Sequence, residues 1–412
     1  MQRQVWNEGW KGFEDMKGNR MKTINRRRVA LKLLSLVTAG LVWSGSLLPS
    51  AAGVLLGADP GAIETVRQYT FKEVGDLAEI NSHDIIKQEA DLAKAELQEE
   101  ESSTSFQIAV FEYWYNGGDG DETSSAYSAL YSLQNSYENA YANAVDAETA
   151  LDQLKPKVRY DAEDLYIALI MGEKDIALQE KNLEIVKTAR DLEAIKLIFG
   201  KSTASALEAA EQKVKDAENS MASLRDTQAI NKESMRIYLD LPEGAAFALA
   251  SPPELGVFQT VFKEEDVQEN ALANSLSLEQ AKRNLEDLDQ QIKDYDAMGK
   301  STQSEQLSIS ARSTELSYAE AVSSLKSKVV STLDALTTAK ENLAAAKIKA
   351  NRAEIDYLTS KLSYDIGKLT QSGLLSAEQN KNSAAADYEQ AGYDYYFASQ
   401  KVSLLNQGIL TN

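Results

Sequence analysis

Cysteine is absent from the 412 residues, which excludes a disulfide framework, a thiolate zinc site and a cysteine nucleophile. Histidine occurs once, as His83, so a multi-histidine metal site is excluded and serine–histidine–aspartate catalysis has little to stand on. Between Ser82 and Asp84, His83 reads as a solvated or capping residue. Proline occurs only six times, leaving long stretches without a helix breaker. Basic charge is short: 43 Lys and Arg face 63 Asp and Glu, a net −20. Phosphate backbones require a basic face, so nucleic acid is not the expected partner. Carboxylates are plentiful but sit at helix-surface spacing, and no acid, base, nucleophile and ligand set stands out. The chain reads as a non-enzyme with no cofactor and no metal.

What is present begins with a targeting segment. Lys22, Arg26, Arg27 and Arg28 precede an apolar run from Val29 to Leu48, and Pro49-Ser50-Ala51-Ala52 follows. Basic, apolar, then small residues is the order of a secretory signal. Residues 1–52 are therefore read as an N-terminal extension and signal peptide, with Met1 or Met21 as the start. An uncleaved membrane anchor is the other reading of the run. Removing nine basic and three acidic residues would take the net charge from −20 to −26.

The stretch that organises the remainder runs from Val322 to Tyr364. Alternate steps of three and four meet Val322, Leu325, Val329, Thr332, Leu336, Ala339, Leu343, Ala346, Ala350, Ala353, Tyr357, Ser360 and Tyr364. This spacing keeps one stripe of a helix on a partner over many turns, as in a coiled coil. At 1.5 Å per residue it spans roughly 65 Å. A second, offset set is Ile348, Ile355, Leu358 and Leu362. Two seams on one helix are what the wall of a closed tube requires.

Helical patterning extends over most of residues 62–412. Ala62 to Glu101 reads as one helix. From Ser105 the pattern alternates, with Phe106, Ile108 and Val110 on one side. An aromatic cluster, the turn-rich Asn116-Gly117-Gly118-Asp119-Gly120-Asp121 and a second alternation to Leu133 follow. The spacing predicts a small β-hairpin over 105–133, with strands near the length that crosses a membrane. Helix resumes near Tyr137 and runs to about Phe199, with Pro156 predicted to break or kink it. Residues 245–260, holding Pro252 and Pro253, read as a linker. Met298 to Glu305 is a polar interruption before the long helix.

Two interrupting glycines lock the halves in register. Gly200-Lys201-Ser202-Thr203 and Gly367-Lys368-Leu369-Thr370 share Gly-Lys-x-Thr at a separation of 167 (367 − 200). Glycine permits the left-handed conformation that ends a helix, and the threonine can cap the next. A phosphate-binding loop would need a preceding strand and more glycines, which neither copy has. The predicted fold is mainly α: long antiparallel coiled-coil hairpins in two tandem repeats, 53–244 and 261–412.

This order resembles the TolC family of outer-membrane efflux and secretion ducts. Its carriers are Phe199-Gly200-Lys201-Ser202-Thr203 with the Ala-rich 206–222, and Tyr364-Asp365-Ile366-Gly367-Lys368-Leu369-Thr370. Leu239-Asp240-Leu241-Pro242 looks like the end of a first repeat, and Ala271-Leu272-Ala273-Asn274-Ser275 like the opening of a second. The resemblance implies a homotrimeric α-helical tube in the cell envelope, fed by an inner-membrane pump through a periplasmic adaptor. It places Gly200, Lys201, Thr203, Gly367, Lys368 and Thr370 at the adaptor contact. It also implies an outer-membrane location, with 105–133 as the membrane contact. The pattern departs from the family at two points. The second repeat offers no convincing strands over 298–313. Gly373 and Ser376 stand where an entrance ring of aspartates is expected, leaving Glu208 and Glu378 as possible entrance acids. A passive exit duct is the leading expectation, and a non-channel coiled-coil envelope scaffold without a barrel is the alternative.

Overall fold

The computed structural model describes residues 67–115, 125–252 and 262–411. All lie in one compact unit, Val66–Asn412. The predicted signal segment, and the second half of the predicted linker from residue 253, lie outside the described residues.

A two-residue strand β1 (Gln68–Tyr69) leads into α1 (Phe71–Asn81), α2 (His83–Tyr115), α3 (Ser125–Ile198) and α4 (Ala204–Tyr238). A second short strand, β2 (Ala248–Leu249), precedes α5 (Glu264–Asn274), α6 (Leu276–Ala297), α7 (Ser301–Asp365) and α8 (Gln371–Asn406). The mainly helical coiled-coil reading is thus correct. With 74 and 65 residues, α3 and α7 span roughly 110 and 100 Å at 1.5 Å per residue. Each is longer than either partner, so it is shared: α3 packs on α2 and then α4, and α7 packs on α6 and then α8. Two arms therefore leave a common waist in each direction.

The waist holds the core, and the same device occurs there twice. An 11-residue helix ends on Asn-Ser, the serine takes an extended backbone, and the next helix starts at once. In the first copy Val74, Ala78 and Ile85 are buried, and in the second Val267, Ala271 and Leu278 are. Asn81 Nδ2 donates to the Tyr238 carbonyl at 3.0 Å, and Asn274 Nδ2 to the Asn406 carbonyl at 3.2 Å. A kink serine thus interrupts what reads in the sequence as one helix from 62 to 101. It lets each short helix fold back onto the end of its own repeat.

β1 and β2 pair in parallel, Gln68 with Ala248 and Tyr69 with Leu249. Buried Tyr166 of α3 donates its hydroxyl to the Ala250 carbonyl at 2.7 Å, holding this pair to the waist. The linker therefore begins as a strand. Tyr160 of α3 meets Phe397 of α8 edge-on at 5.3 Å, joining the two halves. Arg159 of α3 binds Asp76 and Glu79 of α1.

Two predicted features are corrected. Pro156, predicted to break or kink the helix, does not break it, because α3 runs through it. The missing N–H costs one ladder bond, and dense packing at Leu151, Val158, Tyr160 and Ala162 holds the turns on either side. The predicted β-hairpin is also absent: residues 105–115 close α2 and 125–133 open α3, while 116–124 lie outside the described residues. Phe106, Ala109, Val110 and Tyr113 follow helical spacing and lie on the less exposed side of α2. Phe106 stacks on Tyr137 at 6.2 Å, and Tyr113 meets Tyr127 edge-on at 6.4 Å. In the second repeat the polar interruption is a turn of only three residues, 298–300, and helix begins at Ser301.

Candidate functional site

The far end of each α3–α4 and α7–α8 arm is a turn built by backbone rules. At the first, Gly200 has φ 68. Its N–H donates to the Leu197 carbonyl at 3.0 Å, and the Lys201 N–H reaches back to Lys196 at 2.8 Å. At the second, Gly367 has φ 72. The Gly367 N–H donates to Tyr364, and the Lys368 N–H to Ser363, both at 2.8 Å. These paired bonds satisfy carbonyls that a helix end leaves open, and the left-handed residue is where glycine is favoured. Thr203 Oγ1 accepts from the Ala206 N–H and Thr370 Oγ1 from the Gly373 N–H, each at 3.2 Å. Both threonines are N-caps.

Beyond this frame the tips differ. Ser202 donates to Glu193, which also pairs with Lys196 at 2.9 Å. The Ser202 hydrogen bond, then that of Lys196, holds the Glu193 carboxyl below its ordinary 4.5. The second tip has Leu369 at the position of Ser202, lying over Gly373, where a Cβ would come within 2.7 Å of Leu369 Cδ1. The first tip is clasped by charge and the second by apolar contact. Lys201, Thr203, Lys368 and Thr370 are exposed, as are Ile198, Phe199 and Ile366. Glu208 is exposed on α4, and Glu378 is half-buried on α8.

Between the waist and the second tip, α7 is one-sided. From Asp334 to Ser360 its only residues that are not exposed are Leu336, Ala339, Leu343, Ala346, Ala350, Ala353, Tyr357 and Ser360. The spacing is three and four throughout, and the partner is α8. Lys381 of α8 lies 4.2 Å from the Tyr357 ring centre and 3.8 Å from Glu354, at the seam's edge. The offset set is left uncovered: Ile348 is 70% exposed, Ile355 64% and Leu362 64%. These three sit seven residues apart. Ile230 and Ile237 on α4, also seven apart, are 68% and 54% exposed.

The sequence reading missed the Ser202–Glu193 clasp, which spans nine residues and has no local signature. It also missed that Gly299-Lys300-Ser301-Thr302 repeats the first tip's tetrapeptide outright. Gly299 has φ 70, with the Lys300 N–H reaching Tyr295 at 2.9 Å. The same four residues stop a helix at the opposite end of α7, so their shared property is helix termination. Among the described residues no group of His, Asp and Glu is arranged to hold a metal ion. No buried side-chain polar atom lacks a partner there either.

No family model matches the sequence, and neither does any curated protein. Solved structures do. The chain is similar to the outer-membrane channel OprN, with a TM-score of 0.58 at 12% identity, over 82% of this chain and 90% of that one. It is similar to the Campylobacter jejuni CmeC outer membrane channel, with 0.54 at 12% identity over 82% and 85%. The open state of the Neisseria gonorrhoeae MtrE outer membrane channel gives 0.52 at 13% identity over 82% and 89%. At such identities the likeness is one of fold, and the chain has the TolC-like fold of these channels.

Proposed function

We propose that this chain is the exit-duct subunit of a multi-component efflux or type I secretion system in the cell envelope. In this reading it is a passive homotrimer whose helices form the wall of a tube. An inner-membrane pump drives solute through a periplasmic adaptor into that tube. The observation that carries the proposal is the uncovered heptad stripe Ile348, Ile355 and Leu362, opposite a seam wholly used by α8. An apolar stripe this long, left to water on a single chain, calls for a second helix. The fold of known outer-membrane channels supports the same reading. The kink device that occurs twice supports two tandem repeats over 53–244 and 261–412, joined by 245–260.

Within this proposal the tips at Gly200, Lys201, Thr203 and at Gly367, Lys368, Thr370 form the adaptor contact. Glu208 and Glu378 supply acidic charge near the entrance. Sedimentation equilibrium tests the assembly: a trimer is expected, and Ile348→Asp with Ile355→Asp should dissociate it. A wild-type chain that stays monomeric across a wide concentration range would sink the duct.

A second reading is favoured by the helices at 105–115, 125–133 and 301–313, where strands of a barrel would be expected. It is a coiled-coil envelope scaffold that assembles without carrying solute. Solute flux through reconstituted trimers separates the two: a trimer without flux supports the scaffold. Among the described residues, no helix is long and apolar enough to cross a membrane.

A further inference from the structure

On the side of the waist away from the Gly200 and Gly367 tips, the chain is a strip of four helices. α2 lies on α3, where Gln88 Nε2 donates to the Ala147 carbonyl at 3.2 Å and Phe106 stacks on Tyr137. α3 lies beside α6: Gln280 Nε2 donates to Asp146 at 2.9 Å, and Tyr131 Oη to Asp294 at 3.2 Å. α6 turns back on itself as α7. The order α2–α3–α6–α7 leaves α2 and α7 at the two edges.

Each edge helix keeps a second seam that nothing in the chain covers. α2 packs Ile85, Gln88 and Leu92 inward. On its far side Ile86, Ala90, Ala93, Leu97, Glu100 and Thr104 are all exposed, at alternate steps of four and three. α7 turns the half-buried Leu307, Ala311, Thr314 and Tyr318 toward α6. On its far side Ile309, Arg312, Leu316, Ala319 and Ser323 are exposed, at alternate steps of three and four. Such spacing is that of a coiled-coil contact. Leu97 is 66% exposed and Leu316 61%, whereas α6, inside the strip, exposes no large apolar side chain among the described residues.

The charges on the two stripes are opposite. Glu100 and Glu101 stand beside Leu97 and line a shallow open groove with it and Thr104. Arg312 stands one turn before Leu316. Among the described residues none of these three charges has an ion-pair partner within the chain. Their heights along the strip also agree. Interpolated between the contacts above, Leu97 is level with about residue 142 of α3, about 284 of α6 and, across the 298–300 turn, about 314 of α7. A rotation about a tube axis leaves such levels unchanged. It therefore sets Leu97 of one copy between Arg312 and Leu316 of the next, with Glu100 and Glu101 facing that Arg312.

We propose that copies of this chain join side to side on the outer half, α2 of one against α7 of the next. Unlike faces meet in this contact, so its repetition can close a ring. α2 against α2 would stop at a pair and set Glu100 and Glu101 against their own copies. The proposal rests on the assembly inferred from the Ile348 stripe, which lies on the tip side of the waist. It adds a separate seam on the opposite side, so the wall between copies is helical there too.

The absence of cysteine makes cross-linking of the full chain free of background. Leu97→Cys with Leu316→Cys, oxidised under mild conditions, should give disulfide-linked dimers and trimers on a non-reducing gel. Either substitution alone should give single chains. Glu100→Arg with Glu101→Arg should weaken association about tenfold. Adding Arg312→Glu should restore it to within about threefold. Wild-type trimers whose double-cysteine variant yields no linked species would overturn this contact and leave the duct standing. Linked dimers from one cysteine alone, or a disulfide closed within a single chain, would overturn it as well. A wild-type chain that sediments as a monomer is the separate failure of the duct, and this contact fails with it.

Discussion

Gly408 crosses the Asn274 carbonyl so closely that a Cβ at 408 would overlap it. The contact closes the second repeat on itself. Gly408 stands two residues past the end of α8 with φ 77, and its N–H donates to Leu405 at 2.9 Å. Asn274, the last residue of α5, reaches Asn406 with its side chain. Left-handed backbone costs an L-residue about 1–2 kcal/mol before any clash is counted. Gly408→Ala should therefore destabilise the waist by about 3 kcal/mol or more, since the obstacle is backbone and cannot rotate away. Urea unfolding would show it as a lower midpoint at unchanged slope.

The first repeat meets the same requirement less well. Asp240 takes the left-handed position there, with φ 50, and its N–H donates to Ile237 as Gly408 does to Leu405. Asp240→Gly relieves the backbone but loosens the unfolded chain by about 0.4–1 kcal/mol. A net gain of about 0.5 kcal/mol is expected, and a loss would mean the Asp240 carboxylate contributes more than its backbone costs.

These positions also mark what was legible in the chain. The α7 seam was readable because its partner lies along one face for many turns, so packing and periodicity coincide. The helix stops at Gly200 and Gly367 were readable because glycine at a positive φ acts locally. Residues 105–133 misled for a physical reason. Phe106, Ile108 and Val110 alternate like a strand, yet Phe106, Val110 and Tyr113 also share a helix face. β-rich aromatics and a glycine-rich turn tipped a balance that the tertiary contact with α3 reverses. The kink at Ser82 and the β1–β2 pair, 180 residues apart in sequence (248 − 68), depend on long-range contacts and carry no local signal.

Capping should be measurable at the tips without disturbing the waist. Thr203→Ala and Thr370→Ala each remove one accepted backbone bond, worth about 1 kcal/mol. That is roughly a fivefold rise in local opening, to be seen as faster amide exchange over 203–207 and 370–374. Waist amides should not change. A uniform increase along α3 and α7 would show that the tips and waist open as one unit.

Arg159 ties α1 to α3 through two carboxylates at once. It binds Asp76, donates Nε to Glu79 at 2.6 Å, and lies 3.9 Å from Glu163. Its side chain is about one-third exposed, which discounts the pair energy. Arg159→Ala should cost about 2 kcal/mol, because two hydrogen-bonded carboxylates lose their partner. Arg159→Lys should recover only part, since an ammonium cannot present the planar fork. Equal losses for both variants would point to the packing of the side-chain stem instead.

Glu163 gives the waist a pH dependence. Burial, opposed by Arg159 and by the Tyr396 hydroxyl at 3.5 Å, raises its carboxyl above the ordinary 4.5; Asp76 and Glu79 push it the same way. Burial, then the charge of Glu163, pushes the Tyr396 phenol up to about 12, so tyrosine remains a donor across the neutral range. The fold binds the Glu163 proton more tightly than the unfolded chain does. Its contribution to stability is therefore complete below 4.5 and is lost as pH rises through the raised folded value. Glu163→Gln fixes the neutral form and still accepts from Tyr396, while Arg159 keeps Asp76 and Glu79. The variant should melt higher than the wild type at pH 8, with the difference closing toward pH 4. Parallel melting curves across that range would mean that Glu163 is charged in the folded waist at no cost.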